Sequence, residues 1–272
     1  MQRVVILAGL CVLLIGAMAW GQTIVSTHAV YGEFADIVGG EGIEVVTIIP
    51  SGFCPAQYDL APSDLAAVLD ASLILYSGFE VWIETLAGAA GTDATVVQLA
   101  GLWNTPDAAI QKVGMIRDLL VESFPAQAKT FEANAAAYIE ELETVGDELK
   151  AQADVAGVAE VAVVCMEWQV SFVGWLGFQV PVTYGIPANL SLRDLVSLAA
   201  EGQDAGAELV IDNLQSGVDF GAKLAREIGA VHVVLSNFPG AMPFTTTVID
   251  LFRRNAGALF SAIEPLELPE SP

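Results

Sequence analysis

The stretch from Pro125 to about Ala153 constrains the chain most. It is rich in Ala, Glu and Leu and has Gly146 as its only glycine. Phe131, Ala135, Tyr138, Leu142, Val145 and Leu149 follow one another at spacings of four, three, four, three and four. That spacing lays one continuous apolar stripe along an α-helix. At 1.5 Å per residue, about 29 residues make a rod on the order of 40 Å long. Such a rod either braces two lobes at a nearly fixed angle or lies as a long surface helix within one domain.

The sequence on either side favours lobes. Short β-branched runs alternate with longer helical stretches, the pattern of an α/β protein. Strands are predicted at Thr23–Ser26, Glu44–Ile49, Ser72–Ser77 and Ala94–Leu99, then again at Glu160–Val164, Gln179–Val182, Glu208–Ile211 and Ala230–Leu235. Helices are predicted at about Tyr31–Val38, from Ser63 through Val68, at Ser191–Ala200 and at Val218–Ile228. The chain therefore divides into an N-terminal α/β lobe (20–124), a linking helix (125–156) and a C-terminal α/β lobe (157–272).

Residues 1–19 read as a secretory signal. Arg3 starts it, Val4 to Trp20 is apolar or small throughout, and Ala17-Met18-Ala19 offers small residues for cleavage after Ala19. The alternative is an uncleaved anchor helix, at the short edge of the ~17–25 residues that span a bilayer. Either way the protein is exported, periplasmic or extracellular. A net charge of −23 leaves no basic surface for nucleic acid. With 54% hydrophobic and 16% charged residues, the chain is also no disordered segment. No G-x-S-x-G elbow, H-E-x-x-H, P-loop or strand-following G-x-G-x-x-G occurs, so no enzyme class is indicated. Only two histidines, His28 and His232, are available to any site.

Several motifs carry a family resemblance. Ile37-Val38-Gly39-Gly40 with Ile43-Glu44-Val45, Pro55-Ala56-Gln57-Tyr58 with Pro62-Ser63-Asp64-Leu65, and Leu73 to Gly78 with Glu80-Val81-Trp82 follow in order. Asn134-Ala135 with Tyr138 and Glu141-Leu142, then Ser191 to Leu195, then Asn255 with Leu259 continue the series. Together they resemble the substrate-binding proteins of zinc and manganese ABC transporters over nearly all of the chain after residue 19. The resemblance implies two Rossmann-like lobes, a ligand cleft between them and little lobe movement. It also implies a transition-metal ion as the transported ligand, no organic cofactor, a membrane permease as partner and a monomeric receptor.

The ligand positions depart from that family, which holds its metal with histidines and carboxylates. Ala56 stands at the first histidine position, and Gly101-Leu102-Trp103 carries no ligand at the second. Glu167, in Cys165-Met166-Glu167-Trp168, matches the third after one deletion, and Asn237 stands at the aspartate position. Three readings remain. In the first, a rebuilt metal site uses Glu167, Cys54, His28 and Asp212, with Cys165 and Met166 in the same loop as Glu167. Thiolate, thioether and imidazole donors there favour zinc or copper over manganese. In the second, an organic solute sits in a cleft lined by Tyr58, Trp103, Trp168 and Tyr184, with Asn237, Gln57 and Glu167 as polar contacts and Cys165 and Met166 beside Glu167. In the third, a Cys54–Cys165 disulfide ties the lobes into a structural or adhesive protein.

Overall fold

The structure, a computed structural model, describes residues 22–264. The predicted signal at 1–19 lies outside them. Among the described residues no helix is long and apolar enough to cross a membrane.

Two parallel four-stranded sheets form the frame. The first holds β1 (Gln22–Ser26), β2 (Ile43–Thr47), β3 (Leu73–Tyr76) and β4 (Thr95–Gln98) in the order β2-β1-β3-β4. The second holds β5 (Ala162–Met166), β6 (Gln179–Tyr184), β7 (Leu209–Asn213) and β8 (Val231–Leu235) in the order β6-β5-β7-β8. The two orders are the same. In each, the chain runs one way from the first strand and the other way from the third, which opens a crevice at their carboxyl ends. The two-lobed α/β architecture expected from the sequence is therefore present.

All eight predicted strands form, with one shift that matters. β5 starts at Ala162 and runs to Met166, while Val158–Glu160 forms a 3-10 turn. Cys165 and Met166 are thereby strand residues, fully buried in a sheet whose central strand reads as one apolar run.

Helices cover both faces. α1 (Ala29–Gly39), α2 (Pro62–Leu69), α3 (Ile83–Ala90) and α4 (Pro106–Ser123) belong to the first lobe. No helix is predicted at 106–123 from the apolar spacing, yet α4 forms. Thr105 caps it by accepting from the Ala108 N–H, Pro106 fits its first turn, and Ala109, Val113, Ile116 and Leu120 are buried. α5 (Ala128–Ala156) is the long rod, entered through a 3-10 turn at Pro125–Gln127 and closed by Gly157 at φ 69°. Its stripe from Phe131 to Leu149 is buried. It packs on α1 and α4 at one end of the molecule and on α6 (Val170–Leu176) and α9 (Val248–Ile263) at the other. α7 (Leu192–Asp204) and α8 (Asp219–Ile228) complete the second lobe.

Candidate functional site

The loops at the carboxyl ends of the strands meet between the lobes and enclose a pocket of about 120 Å³. From the first lobe come Cys54 to Gln57 after β2, Phe79 after β3 and Trp103 after β4. From the second come Trp168 after β5, Ile186 after β6, Asn213 and Ser216 around the end of β7, and Asn237 and Phe238 after β8. None of the lining residues is charged.

Aromatic rings form much of the wall. Phe79 meets Trp103 edge to face, with centroids 6.1 Å apart and planes at 75°. It meets Trp168 the same way at 5.3 Å and 76°. Trp103 stacks on Phe238 at 6.0 Å. The contacts of Phe79 with Trp168 and of Trp103 with Phe238 cross from one lobe to the other.

Carboxamides also join the lobes. Asn104 Nδ2 donates to the Trp168 carbonyl at 3.0 Å and to Asn237 Oδ1 at 3.3 Å, and its Oδ1 accepts from Ser171 Oγ at 2.7 Å. Gln169 Nε2 donates to Asn213 Oδ1 at 2.9 Å and to Asn237 Oδ1 at 3.1 Å. Gln215 Nε2 donates to the Ser51 carbonyl at 3.0 Å, and its Oε1 accepts from the Asn237 N–H. Trp103 Nε1 reaches the Asn237 carbonyl at 3.4 Å. Asn104, Gln169 and Gln215 are not evident from the sequence. The signal that points to them is their position, each a polar residue within a few positions of a strand's carboxyl end.

Behind the ring wall lies His28, which is 1% exposed. Its ring sits 4.2 Å from Tyr31, 5.0 Å from Trp103 and 5.3 Å from Phe238. Neither ring nitrogen has a hydrogen-bond partner. Burial drives its pKa down to about 4, against the opposing pull of nearby Glu80. The Glu80 carboxylate is itself buried and accepts from Thr27 Oγ1 at 2.6 Å, Ser77 Oγ at 2.8 Å and the N–H groups of Ser77 and Gly78. It ties the ends of β1 and β3 together at the crevice.

The proposed metal donors do not converge. Among the described residues no three His, Cys, Asp or Glu side chains gather to hold a metal ion. Cys54 lines the pocket, whereas His28 is sealed behind Trp103 and Phe238. Asp212 points away from the cleft. It is fully buried, accepts from Tyr184 Oη and lies 2.7 Å from His232 Nε2, so His232 and Tyr184 are its partners. Gly221 on α8 has no side chain where this carboxylate packs, because a Cβ there would collide with Asp212. Glu167 is exposed at the rim, where its carboxylate lies beside Gly185, just before the lining residue Ile186.

The proposed organic-solute lining is partly assembled. Gln57, Trp103, Trp168 and Asn237 line the pocket. Cys165 and Met166 do not, because β5 carries them into the two faces of its own sheet. Tyr58 turns to Asp64 at 3.2 Å and packs near Trp82, and Tyr184 is buried under the second sheet. The disulfide reading is overturned. Both cysteines are free, and Cys165 is enclosed in the core, where burial pushes its thiol pKa up.

The family model described as "Zinc-uptake complex component A periplasmic" matches residues 24–262. The chain belongs to this family. Manganese-binding lipoprotein MntA of Halalkalibacterium halodurans is 31% identical over 141 residues, 45% of this chain and 47% of the relative. Metal ABC transporter substrate-binding lipoprotein ScbA of Streptococcus cristatus is 25% identical over 154 residues, 47% of this chain and 50% of the relative. The chain thus spans about half the length of the curated relatives it matches. The manganese-bound periplasmic metal-binding protein of Candidatus Liberibacter asiaticus superposes with a TM-score of 0.77 at 17% identity. That match covers 89% of this chain and 99% of the other, and shows a shared fold.

Proposed function

We propose that this chain is the extracytoplasmic solute-binding component of an ABC transporter, a monomer that holds one solute between its lobes and presents it to a membrane permease. The observation that carries this reading is the pocket's position. It lies where the crevices of two like-ordered parallel sheets face each other, with α5 holding the lobes at a set distance. Capture in such a cleft needs oriented contacts and no bond-making chemistry. Family membership and the relatives' names support the transporter role.

A transition-metal ion is the cargo that the family supports; the order zinc before copper or manganese rests on the donor types of the candidate residues. Of the donors Glu167, Cys54, His28 and Asp212, only Cys54 belongs to the pocket wall, and Glu167 is at its edge. One observation favours an organic solute instead: the wall has no ionised group, and a hard or borderline metal ion needs oxygen, nitrogen or thiolate donors in number.

Elemental analysis of the purified chain, with thermal shifts in Zn, Cu, Mn and Fe salts, separates the two. Stoichiometric metal with stabilisation supports metal capture. Metal-free protein unmoved by all four salts supports the organic solute.

A further inference from the structure

We propose that the inter-lobe pocket is an aromatic cage for a quaternary ammonium group, a permanently charged organic cation with no N–H to donate; this rests on the reading of the cleft as a solute site.

Three features of the wall lead there. The first is its rings. Phe79 stands nearly perpendicular to both Trp103 and Trp168, and Phe238 adds a fourth ring, so the pocket has aromatic walls meeting at right angles. The faces of Trp and Phe rings carry negative quadrupole density that attracts a cation, most strongly one that sheds its water easily.

The second is how few uncommitted acceptors the wall offers. Asn213 Oδ1 is occupied by Gln169, Asn237 Oδ1 by Asn104 and Gln169, and Gln215 Oε1 by the Asn237 N–H. Apart from exposed Gln57, each side-chain amide oxygen of the wall already accepts a hydrogen bond, and Asn237 Oδ1 accepts two. A metal ion or a primary ammonium would lose its hydration there with few acceptors in return. A trimethylammonium group presents only methyl groups to the rings and asks for no acceptor.

The third is size and sign. A cavity of about 150 Å³ takes a benzene molecule, so one of about 120 Å³ takes a head group of roughly five non-hydrogen atoms. A nitrogen with four attached carbons has that size. The chain's net charge of −23 disfavours anions, and Glu167 sets one carboxylate at the rim beside Gly185, just before the lining residue Ile186.

The test is calorimetry and thermal shift on the purified chain with choline, tetramethylammonium, the uncharged choline isostere 3,3-dimethylbutan-1-ol, and zinc chloride. Choline and tetramethylammonium are expected to bind and raise the melting temperature, and the neutral isostere to bind at least tenfold more weakly. Trp168→Leu and Phe79→Leu, side chains that are not fully buried, are each expected to weaken choline roughly tenfold with circular dichroism unchanged. Equal binding of choline and its isostere overturns the cage. Binding of zinc without choline also overturns it and leaves the solute-binding role standing. A folded protein that binds none of these, nor copper, manganese or iron salts, removes both readings.

Discussion

Asn104 of the first lobe and Asn237 of the second are hydrogen-bonded across the cleft, Nδ2 to Oδ1 at 3.3 Å. The sequence resemblance implies an aspartate at the position of Asn237. Asn104 also holds the Trp168 carbonyl and Ser171, so one carboxamide makes three contacts to the opposite lobe. Direct hydrogen bonds here link the two lobes. Asn104→Ala removes these contacts, while Asn237 Oδ1 keeps Gln169 and the Trp168 carbonyl keeps Asn237 Nδ2, so the expected cost is that of the lost hydrogen bonds, about 1–3 kcal/mol in all. Chemical denaturation measures this. Faster amide exchange in the loops after β5 and β8 should accompany it. A change below about 0.5 kcal/mol would show that the lobes are held elsewhere.

The two cysteines of the described residues should differ sharply towards thiol reagents. Cys54 is half-buried in the pocket wall, and Cys165 is fully enclosed on β5 with its thiol pKa raised by burial. In native protein Cys54 is expected to react with Ellman's reagent and Cys165 to react only after unfolding. Peptide mapping of the labelled sites checks this. Absence of both thiols from unreduced, unfolded protein would restore the disulfide.

The frame of the molecule was legible because its signals are local. Eight β-branched runs and the four-three spacing of α5 are each contained in a few turns of chain. α4 was not legible by the same means. Lys112 interrupts its apolar face and is itself buried. The site was harder, because a two-residue shift in β5 decides whether Cys165 and Met166 meet the cleft or the core. The roles of Asn104 and Gln169 arise only where loops far apart in sequence meet; Asn104 and Asn237 are 133 residues apart. Asp212 misleads in the opposite sense. A strand-end acid resembles a ligand until its partners are seen to be His232 on β8 and Tyr184 on β6, on the face of the sheet that packs against α8.

His28 makes the fold acid-sensitive. Its pKa falls from an ordinary 6.5 to about 4 on burial, so between those values the unfolded chain binds a proton that the native state refuses. Stability from this group is complete above about pH 6.5 and is lost as pH falls towards 4, by up to about 3 kcal/mol. His28→Phe removes the two unpartnered nitrogens and keeps an aromatic ring against Tyr31, Trp103 and Phe238. Its stability at pH 7 should lie within about 1.5 kcal/mol of the parent, the range for tolerated core swaps. Its advantage over the parent should grow as pH drops from 6.5 to 4. Denaturant titrations at a series of pH values measure that difference, and a constant difference would place the acid sensitivity in other groups.

Glu33 on α1 acts with the opposite sign. Its carboxylate accepts from the Val248 N–H at the start of α9 at 2.9 Å and from Tyr138 Oη on α5 at 3.0 Å, so it ties the first lobe, the rod and the second lobe together. Burial raises its pKa to about 7; those two donors pull it down, and Asp250 and Asp36 add to the rise. Glu141 also faces the same hollow. Between about pH 4.5 and 7 the native state keeps a proton that the unfolded chain has released. Stability from this group is therefore fully present below 4.5 and declines as pH rises through 7, by at most about 3 kcal/mol. Glu33→Gln preserves an acceptor for Val248 and can donate to Tyr138, yet cannot ionise. Relative to the parent, it should gain stability steadily from pH 5 to 8 and then level off. His28→Phe should show no trend above pH 7, so the two variants assign the acidic and the neutral limbs of the stability profile separately. A Glu33→Gln profile parallel to the parent throughout would mean that this carboxylate ionises in the folded protein as it does in water.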